Sequence, residues 1–253
     1  MSRLNALVVG LGNYTHPLTR HSISQLTLEN IHNLLNHQHR YKANYVSASP
    51  SWPTSDKEPP FRLQSMQSSS DLSNHLKLSK PHSAWIARHD FQLSSTQGTS
   101  PNNLSLHLLK PRAAMNISGP IVQSYHSQLS KSGERTKLII IHDELDLKPL
   151  TVRLKRPPQS SKHKGHNGLR SVFASLKAHS PQSLFTIGIG IGRDASNPSK
   201  DPRDVGRWVL SPLNRPEIEA CSWDVEHSPS ANPLHQASVV LEVWQQISEI
   251  LRN

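Results

Sequence analysis

The chain has a single cysteine, Cys221. That excludes an intrachain disulfide and a thiolate metal cluster, and it fits a reducing compartment. Hydrophobic residues make up only 34% of the 253, below the roughly 45–50% of an average globular domain. Part of the chain is therefore expected to lie outside any core. Apolar runs are a few residues long, far short of the about 20 that a membrane-crossing helix needs. Met1 to Asn5 lead straight into the apolar run Ala6–Val9, so neither a signal peptide nor a transit peptide is expected. An intracellular protein follows, cytoplasmic, with a mitochondrial location left open. Acidic residues are also scarce, 18 against 28 Lys and Arg, for a net charge of +10. A surplus of that size points to a polyanionic partner, nucleic acid or an anionic membrane; the alternative is a solvated basic surface.

Residues 4–9 read as a short buried strand that ends in the turn Gly10-Leu11-Gly12-Asn13. A helix is expected over 22–37, with Ile23, Leu26, Ile31, Leu34 and Leu35 on its apolar side. Strand, turn and helix in that order open an α/β fold. From about 41 to 80 the texture changes. Ten serines and four prolines occur there without periodicity, which reads as a flexible insertion. Trp85-Ile86-Ala87 and Leu104–Leu109 look like strands. Ser118 followed by Pro120 marks a helix start, continued by the stripe Ile121, Tyr125 and Leu129. Leu138–Ile141 is apolar throughout, as a central strand covered on both faces would be. Leu169, Val172, Phe173 and Leu176 mark another amphipathic helix. Ile187, Ile189 and Ile191 alternate with glycines, a strand whose other face lies against something close. Residues 211–233 read as a loop insertion, and a last helix is expected over about 234–251. The sum is one three-layer α/β domain.

A dinucleotide-binding turn would need a third glycine opening a helix and an acidic residue about twenty positions on. Gly10 and Gly12 are instead followed by Asn13, Tyr14 and a loop with His16 and Pro17, so no nucleotide cofactor is expected. Polar residues gather elsewhere, in Gly10–Asn13 (GLGN), Thr19–His21 (TRH), Met115–Gly119 (MNISG), His142–Leu147 (HDELDL) and Gly165–Leu169 (GHNGL). Each lies at the end of an expected strand or the start of a helix, where open α/β sheets bind ligands. Singly, the asparagines could be turn or cap residues, and His21 one histidine among 16.

As an ordered set the five segments resemble the bacterial-type peptidyl-tRNA hydrolases, over residues 4–40 and about 83–212. That resemblance implies a single domain over 1–253 with a mixed, mostly parallel sheet flanked by helices. It implies hydrolysis of the ester joining a peptide to the 3′-terminal ribose of tRNA, by a monomer that recycles tRNA from stalled or aborted translation. His21 matches the family's catalytic histidine, Asp143 the acid that orients it, and Asn13, Asn116 and Asn167 its substrate-binding amides. Where the family continues with proline and glycine after GLGN, this chain has Tyr14-Thr15. The asparagine after the histidine is Ser22, and an aromatic before the MN pair is Ala114.

The chemistry suits the residue types. A histidine can activate water directly, an aspartate can fix its tautomer, and neutral amides can hold the ester without perturbing the base. No metal or organic cofactor is required. Arg153, Lys155, Lys162 and Lys164, with Tyr14 in the first loop, are the expected tRNA contacts, phosphate-directed and indifferent to sequence. Two other readings stay open: a non-catalytic RNA-binding member of the same fold, akin to its splicing relatives, and a small-molecule esterase.

Overall fold

The computed structural model describes residues 3–40, 75–93, 102–131, 136–176, 183–196, 199–223 and 238–252. Seven strands form one sheet: β1 (Arg3–Gly10), β2 (Lys77–Ser79), β3 (Ala84–Leu93), β4 (Asn102–Pro111), β5 (Thr136–Glu144), β6 (Val152–Lys155) and β7 (Leu184–Gly190). Their spatial order is β2-β3-β4-β1-β5-β7-β6. The four strands β4, β1, β5 and β7 run parallel, and β2, β3 and β6 join antiparallel at the two edges. The carboxyl ends of four strands thus share one edge of the sheet, where an open α/β sheet accommodates ligands.

The central strands are apolar on both faces because both are covered. Val8, Ile139, Ile141, Ile187 and Ile189 point into one core. Leu7, Val9, Leu138 and Ile140 point into the other. The first core is closed by α1 (Ile23–Arg40), α4 (Pro202–Val209), α5 (Arg215–Cys221) and α6 (Ser238–Arg252). The second is closed by α2 (Gly119–Ser130) and α3 (Asn167–Ser175). Sequence periodicity marked α1, α2, α3 and α6, each within a few residues of its position.

The expected loop at 211–233 is a helix over part of its length, α5 at Arg215–Cys221. Asn214 accepts from the Glu217 amide while the Glu217 carboxylate accepts from the Asn214 amide, and Pro216 occupies the first turn. This capping box satisfies amides that a helix start otherwise leaves without partners. Helix α4, for which no helix was expected, has a simpler start: the Asp201 side chain accepts the Arg203 amide and Pro202 opens the first turn. The stretch at 41–80 lies outside the described residues up to position 74. Its end, Lys77–Ser79, is the edge strand β2 on β3.

The glycines of β7 behave as their spacing implies. A Cβ on Gly190 would stand 1.9 Å from the Lys148 carbonyl oxygen. The chain leaving β5 crosses directly over β7 at that point, tied down by the Leu150 amide donating to Gly190 O and the Gly190 amide to Thr151 O. Only glycine leaves room for the crossing.

Candidate active site

Asp143 is the penultimate residue of β5, and its side chain is only 2% exposed. Two histidines reach it from opposite sides of the sheet. His21 lies in a single turn of 3-10 helix (Arg20–Ser22) that opens α1. His166 immediately precedes α3. His21 Nδ1 donates to Asp143 Oδ2 at 2.9 Å, and His166 Nε2 donates to Oδ1 at 3.0 Å. The imidazole centroids are 5.3 Å apart.

The tautomers follow from the partners. His166 caps α3: its Nδ1 accepts the Leu169 amide at 3.2 Å, so the proton of the neutral ring is on Nε2, facing Asp143. His21 donates its Nδ1–H to the same carboxylate, and its Nε2 lone pair meets no donor among the described residues. Burial opposes charge on Asp143, but its electrostatic attraction to His21 and His166 and the N–H bonds they donate outweigh it and hold the carboxyl well below its ordinary value. On His21 burial works against the imidazolium, and the Asp143 charge and hydrogen bond outweigh it, so the pKa is raised above 6.5. A free imidazole nitrogen backed by a buried carboxylate is the arrangement of a general base.

The same three side chains bring donor atoms within 4.8 Å of one another, the spacing of a metal site. The bonding does not fit one. A metal would need the His166 Nε2 lone pair while the Leu169 amide occupies the Nδ1 lone pair, leaving the ring proton nowhere to go. A third histidine supports the strand end. His142 is fully enclosed, and its Nδ1 donates to the Asp143 carbonyl at 2.8 Å. Burial, with His166 close by, pushes its pKa down to about 4 and keeps it neutral.

Arg20, beside His21, anchors the turn. Its guanidinium is buried, donates to both oxygens of Glu217 at 3.1 and 3.0 Å, to Ser211 Oγ at 2.7 Å and to the Pro212 carbonyl at 2.6 Å. It lies 4.0 Å from the centre of the Trp208 ring. Ser22 holds the other side: its hydroxyl accepts the Asn13 amide at 3.1 Å and lies within bonding distance of the Asn13 and His16 carbonyls. The serine thus fastens the loop after β1 onto the turn that carries His21.

The three asparagines fall at the same edge of the sheet. Asn13 ends the turn after β1, half-buried, its Oδ1 accepting from Thr15 Oγ1 at 3.0 Å. Asn116 is in the middle of the 3-10 turn Met115–Ile117, and Asn167 is the first residue of α3. These last two are joined through Gly168, where a Cβ would stand 2.4 Å from Met115 Sδ. Both are exposed, and neither amide bonds to another described residue. None of the three side chains caps a helix, His166 taking that role at α3, although Asn13 and Asn116 both lie in turns.

The basic residues divide. Arg153 is exposed on β6, and Lys162 and Lys164 are exposed in the connection from β6 to α3. Lys155 points to the same face of the sheet as Arg153, as strand alternation requires, but its ammonium is paired with Glu144 and only 12% exposed. Tyr14 is half-buried beside Trp85. His166 lies within GHNGL but carries no sequence signal of its own: histidine is not a favoured cap residue, and the asparagine beside it is.

A family model described as peptidyl-tRNA hydrolase matches residues 72–247. A peptidyl-tRNA hydrolase of Saccharomyces cerevisiae is 37% identical over 105 residues, 42% of this chain and 52% of the relative. That of Marinobacter nauticus is 38% identical over 116 residues, 46% and 53% respectively. The chain thus spans about half the length of these curated relatives. The crystal structure of peptidyl-tRNA hydrolase from Acinetobacter baumannii shares the fold, with TM-score 0.51 at 22% identity over 98% of this chain and 92% of that one. With the family model covering more than half of its length, the chain belongs to the peptidyl-tRNA hydrolase family.

Proposed function

We propose that this chain hydrolyses the ester between a peptide and the 3′-terminal ribose of tRNA. The observation that carries the reading is the Asp143 carboxylate held between His21 and His166, which leaves His21 Nε2 as a free base at the sheet edge. In this mechanism Nε2 takes a proton from water as the water attacks the ester carbonyl. Asp143 stabilises the imidazolium that results, and His166 keeps the carboxylate aimed. Asn116 and Asn167 offer unbonded amides to the ester oxygen and the water, and Asn13 meets the peptide amide. The imidazolium then returns its proton to the departing ribose oxygen, so the products are a free peptide carboxylate and intact tRNA.

Arg153, Lys162 and Lys164 supply the phosphate contacts, with the chain acting as a monomer in the cytoplasm or mitochondrion. A protein that only holds RNA has no use for an oriented base, which separates this reading from the splicing-type alternative. The test is turnover of N-acetyl-aminoacyl-tRNA by purified protein, with free aminoacyl-tRNA as control. His21→Ala should cut the rate by about a hundredfold or more, the scale of a lost general base, with tRNA binding little changed. Near-parental turnover by that variant would remove His21 from the mechanism.

A further inference from the structure

Next to the site is a group of side chains that neither apolar core accounts for. The Tyr14 and Trp85 rings are 6.1 Å apart at 48°, both half-buried and outside the two cores. The Arg112 guanidinium stands over both, 5.6 Å from the Tyr14 centroid and 5.9 Å from that of Trp85. Lys110 Nζ is 5.1 Å from the Trp85 centroid, with Glu29 as its ion-pair partner at 2.5 Å. Arg112 is exposed and meets no carboxylate among the described residues.

The placement follows from the fold. Trp85 is opposite Lys110 in the β3–β4 ladder. Arg112 follows β4 on the way to the Asn116 turn, and the Tyr14 amide donates to the Ala113 carbonyl at 3.4 Å. Asn13 precedes Tyr14 and is bonded to Ser22, the neighbour of His21. The cluster is therefore continuous with the edge where an ester would be cut.

We propose that Trp85 and Tyr14, with Arg112 across them, form a stacking platform for an unpaired nucleobase at the 3′ end of the RNA, Arg112 taking the adjoining phosphate. Two half-buried rings under an unpaired guanidinium are what single-stranded nucleic acid binds: a π-face for any base and a cation for the backbone. The attached peptide suits this surface less, since its side chains vary and it carries no obligatory anion, whereas every tRNA ends in the same unpaired bases. The inference rests on the hydrolase reading for the identity of the strand.

The experiment is equilibrium binding of the trinucleotide CCA to the parent, Trp85→Ala, Trp85→Phe and Arg112→Gln proteins over a range of salt, with a thermal melt of each. Trp85→Ala should bind about tenfold more weakly, within what one stacked base supplies, and Trp85→Phe should recover most of the loss. Arg112→Gln should make the slope of log affinity against log salt shallower by about 0.7, one single-strand phosphate. Unchanged affinity in folded Trp85→Ala overturns the proposal, as does a Phe variant as weak as the Ala variant. If Trp85→Ala instead loses only the binding of N-acetyl-phenylalanine amide, the platform serves the peptide and the proposal is wrong. A parent that binds CCA through Trp85 but cleaves no peptidyl-tRNA would sink the hydrolase reading alone. Cleavage with no role for Trp85 in CCA binding would do the reverse.

Discussion

Glu217→Gln tests whether the turn carrying His21 is held from the far end of the chain. Arg20 and Glu217 are 197 positions apart, and their side chains are 9% and 7% exposed. The substitution keeps the size of the side chain and one acceptor oxygen, but it leaves the Arg20 charge buried opposite a neutral amide. Removing one partner of a buried pair costs about 3–5 kcal/mol. Ser211 and Pro212 still accept from Arg20, so the low end, about 3 kcal/mol, is expected. For a chain of this size that lowers Tm by about 6–12 °C. Urea unfolding of the parent, Glu217→Gln, Arg20→Met and the double variant gives the coupling directly. Because Arg20→Met leaves the Glu217 carboxylate stranded, the double variant should be less destabilised than the sum of the singles by about 2 kcal/mol. The coupling should persist in high salt, since the pair is shielded from solvent ions. Strictly additive losses would show that the two side chains do not act on each other and that the turn is held by its backbone bonds alone.

Asp143→Asn should slow hydrolysis by about ten- to a thousandfold, less than the loss of a protease aspartate because water is the nucleophile. The parent's activity should rise with pH as His21 loses its proton, with a midpoint above 6.5. In the variant burial is left unopposed and the midpoint should move to lower pH; an unmoved midpoint in the pH profile would dissociate Asp143 from the base. Gly190→Ala drives a methyl into the Lys148 carbonyl and should destabilise by at least about 1–3 kcal/mol, the scale of overpacking; an unshifted thermal transition would contradict the crossing. Arg153→Gln should flatten the salt dependence of tRNA affinity by about 0.9, one duplex phosphate. Lys155→Met, its cation already engaged by Glu144, should leave that slope alone, and equal changes in the two variants would refute the distinction.

Strands buried on both faces were legible because both sheet faces demand apolar residues, and β1 and β5 write that demand as Ala6–Val9 and Leu138–Ile141. His21 and Asp143 were legible through motif order. Their contact was not, since 122 positions separate them and only the parallel crossings bring them together. His166 escaped because a cap and a carboxylate partner can be the same side chain, which local pattern does not reveal. Helix α5 is hidden for a different reason: Asn214-Arg215-Pro216-Glu217 is a capping signal, but proline marks loops as readily as first turns. Lys155 looked like its neighbour Arg153 in sequence. Its burial depends on Glu144, two strands away in the sheet.

Under the proposed hydrolysis, the Asp143 clamp would make activity a measure of complete assembly. One of its histidines arrives with α1 and the other with α3, helices that belong to separate cores. A chain with only one layer docked has half of the clamp, and Asp143 is then free to turn toward water. During refolding, turnover should therefore return with the slower of the two layers, after most of the helical signal has already recovered.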